Sequence, residues 1–193
     1  KMKYLSVPLG YRLWDKSKSK LALAAEMVEQ AIKVIGMERQ VILLCDSWYP
    51  KAEITELVER YDNLHLICNV RNDTVLYDLP PKPTGKRGRP KKRGDRLSLE
   101  QFALSEPKHG EYLIGTRQVI TNLWNNRIIH AIVTLPKKGK GNHRLFLSTI
   151  APTEISMNQE WCQEANLCPY AKENIDYLPL DLYAMRWNIE ISY

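Results

Sequence analysis

QVILLCDSWYPKAEITELVERYDNLHLIC, residues 40–68, is the stretch that decides the fold. QVILLC is apolar at consecutive positions, the pattern of a strand buried on both faces rather than one with a wet side. Pro50 opens a helix in which Ile54, Leu57, Val58 and Tyr61 recur on one face. LHLIC (64–68) reads as a second buried strand. Two strands joined through a helix in about 30 residues make a βαβ unit, and hence a parallel pair. Asp46 directly follows the first strand. Ligands of open α/β sheets gather at the carboxyl ends of strands, which makes Asp46 a site candidate. An aspartate there is also a common helix cap, and the residues alone leave both readings open.

Toward the N-terminus, SKLALAAEMVEQAIKVI (19–35) is a strong helix with Gly36 as its stop. YLSVPLGYRLW (4–14) has the content of one or two strands, interrupted by Pro8 and Gly10. Beyond residue 68 the texture changes. KPTGKRGRPKKRGDRLSLEQF (82–102) is punctuated too often by Pro, Gly and basic residues for a helix and reads as a loop. Residues 111–149 resemble short strands separated by NN and KKGKGN turns, an antiparallel meander. Residues 157–181 are weakly patterned, and a closing helix follows.

The chain has 193 residues, 44% of them hydrophobic, enough for one large domain or a domain with an insertion. No apolar run approaches the roughly 20 residues that cross a bilayer, so a cytoplasmic protein without a membrane partner is expected. Cys45, Cys68, Cys162 and Cys168 form no C-x-x-C pair and have no histidine at zinc spacing, so reduced thiols are expected. None of His65, His109, His130 and His143 has a ligand-like spacing.

The net charge of +6 conceals a strong asymmetry: residues 80–145 hold 15 of the 28 Lys and Arg but only 4 of the 22 Asp and Glu. That segment carries +11 and the remainder −5. Clustered Lys and Arg displace the counterions condensed on nucleic acid, so a polyanion is the expected partner. Lys86, Arg87, Arg89, Lys91, Lys92 and Arg93 are the densest run. Its Arg-Gly-Arg-Pro core is similar to the AT-hook that lies in a narrow A·T minor groove; a basic loop touching phosphates is the other reading.

The chain closes on LYAMRWNIEISY (182–193). At about 100° per residue, Tyr183, Arg186 and Glu190 fall on one polar stripe beside an apolar stripe of Leu182, Met185 and Ile189. Taken alone this could be a surface helix with an Arg186 to Glu190 pair.

LLCDSWYPK and YAMRWNIEISY together resemble the DDE transposases of bacterial insertion sequences, specifically the IS4-like group. In that group the second catalytic aspartate often begins Asp-Ser-x-Tyr, matched by Asp46, Ser47 and Tyr49. Its glutamate lies in a helical signature of Tyr, two residues, Arg, three residues, Glu, six residues, Lys; Tyr183, Arg186 and Glu190 fill the first three places. The resemblance implies an α/β fold: an RNase H-like mixed sheet flanked by helices, with an inserted β-rich basic subdomain. The implied divisions are 1–79 for the first part of the core, 80–150 for the insertion and 151–193 for the return to the core.

What the resemblance implies chemically is metal-dependent cleavage of DNA and strand transfer at transposon ends. Asp46 and Glu190 would be catalytic ligands of two Mg²⁺ ions, with Mn²⁺ as substitute, and Tyr183 and Arg186 would face phosphates. Trp124 would either stack on an extruded base or belong to the core. A DNA-bound homodimer associated with the bacterial nucleoid is implied. The group's first aspartate should precede the segment similar to YLSVPLGYRLW, and its lysine should fall four residues beyond Tyr193. The expectation is therefore a catalytic-core fragment, inactive as it stands. The alternative is a domesticated or decayed relative that binds DNA without cutting it.

Overall fold

The computed structural model describes residues 9–82, 89–138, 141–156 and 169–186. Helix α1 (Lys20–Ile35) starts where Ser19 accepts the Ala22 N–H in its side chain and stops at Gly36, whose φ of 88° suits glycine. Strand β1 (Val41–Cys45), helix α2 (Ala52–Arg60) and strand β2 (Leu64–Val70) form the expected unit, with β1 and β2 parallel and Cys45 opposite Cys68. Of the segment read as strand before α1, residues 4–8 lie outside the described residues, and the rest differs from that reading. Residues 9–14 are irregular, with Leu9, Tyr11 and Leu13 exposed, while Arg12 donates to Gln30 and the Trp14 indole to the Lys18 carbonyl.

Two short strands, β3 (Leu76–Tyr77) and β4 (Arg96–Leu97), flank the basic run. The meander is present as β5 (Tyr112–Thr121), β6 (Ile128–Pro136) and β7 (Arg144–Ser148), antiparallel throughout. All seven strands make one mixed sheet in the order β1-β2-β7-β6-β5-β3-β4. The α/β class with a mixed sheet flanked by helices is thus the observed one. Strand β7 pairs directly with β2, so the meander is hydrogen-bonded into the sheet that carries β1. Among the described residues β1 lies at the sheet edge, and of its five residues, expected to be buried on both faces, only Cys45 is fully buried.

The sheet is apolar on both faces. On one, Ile54, Leu57 and Val58 of α2 and Ile32 of α1 pack with Leu66, Cys68, Leu147 and Trp124. On the other, Ile67, Ile132 and Phe146 meet helix α3 (Leu178–Ala184) through Leu178, Leu182 and Tyr183. Each such side chain removed from water contributes roughly 1.5–3 kcal/mol. Helix α3 begins a turn earlier than the sequence pattern suggested, with Pro179 in its first turn, and it is buried from Leu178 to Tyr183. Among the described residues no helix is long and apolar enough to cross a membrane.

Candidate active site

Asp46 leaves the C-terminal end of β1 and folds the chain into a turn. Its Oδ1 accepts the Trp48 N–H at 3.0 Å, and its carbonyl accepts the Tyr49 N–H at 3.2 Å. Trp48 and Tyr49 meet edge to face, centroids 5.3 Å apart, and Pro50 is buried behind them. Asp46 therefore does cap something, but a turn rather than α2, whose N-cap is Lys51 without a side-chain bond. An ionised carboxylate offers about four lone-pair sites, so one backbone N–H leaves it with acceptor capacity.

Asp46 lines a hollow of about 280 Å³ together with Cys45, Tyr49, Arg186 and aliphatic groups of α1, β1 and α2. Asp46 and Arg186, far apart in sequence, line the same cavity. The Arg186 guanidinium lies 5.5 Å from the Tyr183 ring centroid. Tyr183 is held in turn by Phe146, edge-on at 4.9 Å. Burial pushes the Tyr183 hydroxyl above its usual range, Arg186 pulls it back, and Asp46 and Cys45 add to the rise.

The side of the helix at Tyr183 is therefore not an open face. Tyr183 is 6% exposed, because α3 is packed against the sheet where a surface helix would leave this side wet, and its ring serves as a support for Arg186. Glu190 lies outside the described residues, as do Lys86 and Arg87. Arg89, Lys91 and Lys92 are exposed. Arg93 folds back over the Tyr77 ring at 3.8 Å and donates to Asn122 Oδ1 at 2.7 Å. Trp124 is wholly buried in the core between sheet and α2, so its ring has no face free for an extruded base, and the core alternative is the observed one.

Cys45 and Cys68 are buried free thiols, as expected; the hydrogen bond with Cys45 and burial raise the Cys68 thiol well above its usual range. Cys162 and Cys168 lie outside the described residues. The packing role of Cys45 beside Asp46 was not visible in sequence, since an apolar run gives no sign of which member will line a cavity.

A family model described as DDE superfamily endonuclease matches residues 15–127, more than half of the chain. The chain belongs to that family. DDE superfamily endonucleases act on DNA and generally use divalent metals, so the coarse function is that of a nuclease of the transposase type. The matched span includes Asp46 and the basic run and ends before Tyr183, Arg186 and Glu190. No curated protein matches the chain.

The donor chemistry at the hollow suits a hard divalent cation in part. Asp46 supplies carboxylate oxygen, the ligand type that Mg²⁺ and Mn²⁺ prefer. Among the described residues no cluster of three possible ligands forms, and Glu190 stands outside them.

Proposed function

We propose that this DDE endonuclease is the catalytic part of a transposase of the IS4-like group, cutting DNA and transferring strands at transposon ends. The observation that carries the reading is the meeting of Asp46 and Arg186 at one hollow beyond the end of β1. Asp46, with Glu190, would hold two Mg²⁺ ions, or Mn²⁺ in their place. Such a pair, when bound, supplies a deprotonated oxygen nucleophile and a stabilised leaving oxygen for in-line displacement.

The chain's own residues do the rest. The Trp48 N–H fixes the Asp46 carboxylate. Arg186, braced on Tyr183, presents a planar fork that can grip a phosphate with two parallel hydrogen bonds. Aliphatic groups of Val28, Leu43 and Ile54 form one wall of the cavity beside these charges. The basic run from Lys86 to Arg93 holds DNA phosphates, and Lys86 and Arg87 are included on sequence grounds. We assign 1–79 and 151–193 to the catalytic core and 80–150 to an insertion continuing its sheet, and we propose a DNA-bound homodimer at the nucleoid.

Asp46 and Glu190 match two places of the family's carboxylate pattern. The test incubates the protein with end-bearing DNA, with and without Mg²⁺ or Mn²⁺. Metal-dependent nicking, lost in Asp46→Ala and in Glu190→Ala, is the expected result. Nicking that survives Asp46→Ala would overturn the assignment. DNA binding with no nicking would favour the non-cutting relative.

A further inference from the structure

Two motifs separated in sequence meet at one corner of the molecule. The β3–β4 ribbon exposes Lys91, Lys92 and Arg96. Its Arg93 is the link: the guanidinium lies over the Tyr77 ring, and Nη1 donates to Asn122, the first residue of the turn joining β5 to β6. The base of the ribbon is fixed by Gly94 N–H to the Asp78 carbonyl at 2.8 Å and by an Arg117 to Asp78 ion pair at 2.6 Å. A Cβ at Gly94 would come within 2.6 Å of the Leu79 carbonyl, so glycine is required where the two strands close.

The β5–β6 turn is closed by its own backbone. Asn125 and Asn126 both take the left-handed conformation, φ 44° and 62°, which asparagine tolerates better than most residues. The Arg127 N–H closes the turn on the Trp124 carbonyl at 2.6 Å, while the Trp124 ring is anchored in the core. The backbone is thus held from below, and the Asn125 and Arg127 side chains are exposed at the tip. Residues 121–130 contain no carboxylate.

We propose that this corner is a second contact surface for double-stranded DNA, distinct from the hollow at Asp46. Lys91, Lys92 and Arg96 hold phosphates, and Arg127 with Asn125 reaches base edges. A two-stranded hairpin fits a major groove, where an arginine fork suits guanine and an asparagine amide suits adenine. A tip already fixed in shape loses little freedom on binding. Strand pairing places the tip at the N-terminal end of β6 and Asp46 at the C-terminal end of β1, with β1 and β6 running in the same sense. Three strand spacings and several residues of rise put them on the order of 20 Å apart. The corner and the hollow thus lie at opposite ends of the sheet's strands, as two separate surfaces.

The inference rests on the endonuclease reading, and its test separates the two. The 193-residue chain is titrated with fluorescent duplexes of differing sequence, over a range of salt. Lys91→Ala with Lys92→Ala should lower the slope of log affinity against log salt by about 1.8. Arg127→Ala should weaken binding roughly ten-fold and narrow the spread of affinities between sequences, with an unchanged melting temperature. Arg93→Ala, which uncouples ribbon from tip, should reduce both the affinity and that spread. Wild-type affinity and spread in the Arg127 variant would overturn the corner while leaving the endonuclease reading intact. A loss equal on every duplex would overturn the base contact. Failure of the wild-type chain to bind any duplex would overturn both.

Discussion

Asp46 combines a turn-closing bond with a place at the candidate site. One carboxylate oxygen closes a turn through the Trp48 N–H, and the residue also lines the hollow it shares with Arg186. Capping and site readings compete only if a carboxylate is treated as having one acceptor, which it does not. Arg186→Lys keeps the charge but loses the planar fork braced on Tyr183, so DNA cleavage should fall about ten-fold or more while the melting temperature hardly moves. Paired kinetic and thermal measurements on the lysine variant check this. Trp124 should behave in the opposite way. As a fully buried ring it should cost roughly 3–5 kcal/mol when cut to alanine, read by denaturant unfolding. Among the described residues its indole N–H has no acceptor, so Trp124→Phe should cost far less.

Helix α3 illustrates where local pattern stops being informative. Its residues from 182 onward alternate as a surface helix would, yet Leu178 to Tyr183 are all buried, and Pro179 sits in the first turn where the missing N–H is harmless. Enclosure explains the state of Asp181. It is 2% exposed, its two carboxylate oxygens accept the Tyr170 and Ala171 N–H groups, and desolvation nevertheless raises it from 3.8 to about 6. A folded-state value above the unfolded one means that its stabilising contribution is fully present below pH 3.8 and is lost as pH rises through about 6. The difference amounts to about 3 kcal/mol. Urea unfolding from pH 4 to 7 should show this decline in the native chain, and Asp181→Asn should flatten it. Strand β1 teaches a related lesson. Its apolar run correctly marked a strand but not its place at the sheet edge, because neighbour relations are set by non-local pairing that five residues do not encode.

At the scale of the whole molecule, the βαβ unit, the meander and the position of Asp46 were legible because each rests on periodicity or turn chemistry within 10 to 30 residues. The strand order was not. Nothing local says that β7 returns to pair with β2, or that β3 and β4 bracket the basic run at the opposite edge from β1. The basic segment was legible as charge, while its attachment through Arg93 to Asn122 was not, since that contact joins residues with no shared pattern. Asp46 and Glu190 are proposed to converge on divalent metal beside Arg186. Titration of the 193-residue chain with Mn²⁺, with free ion followed by electron paramagnetic resonance, reads that convergence. Weak binding by the native chain that is further weakened at least ten-fold by Asp46→Ala and by Glu190→Ala, but not by Arg186→Lys, is the predicted result. Mn²⁺ binding of equal strength in all four proteins would contradict it.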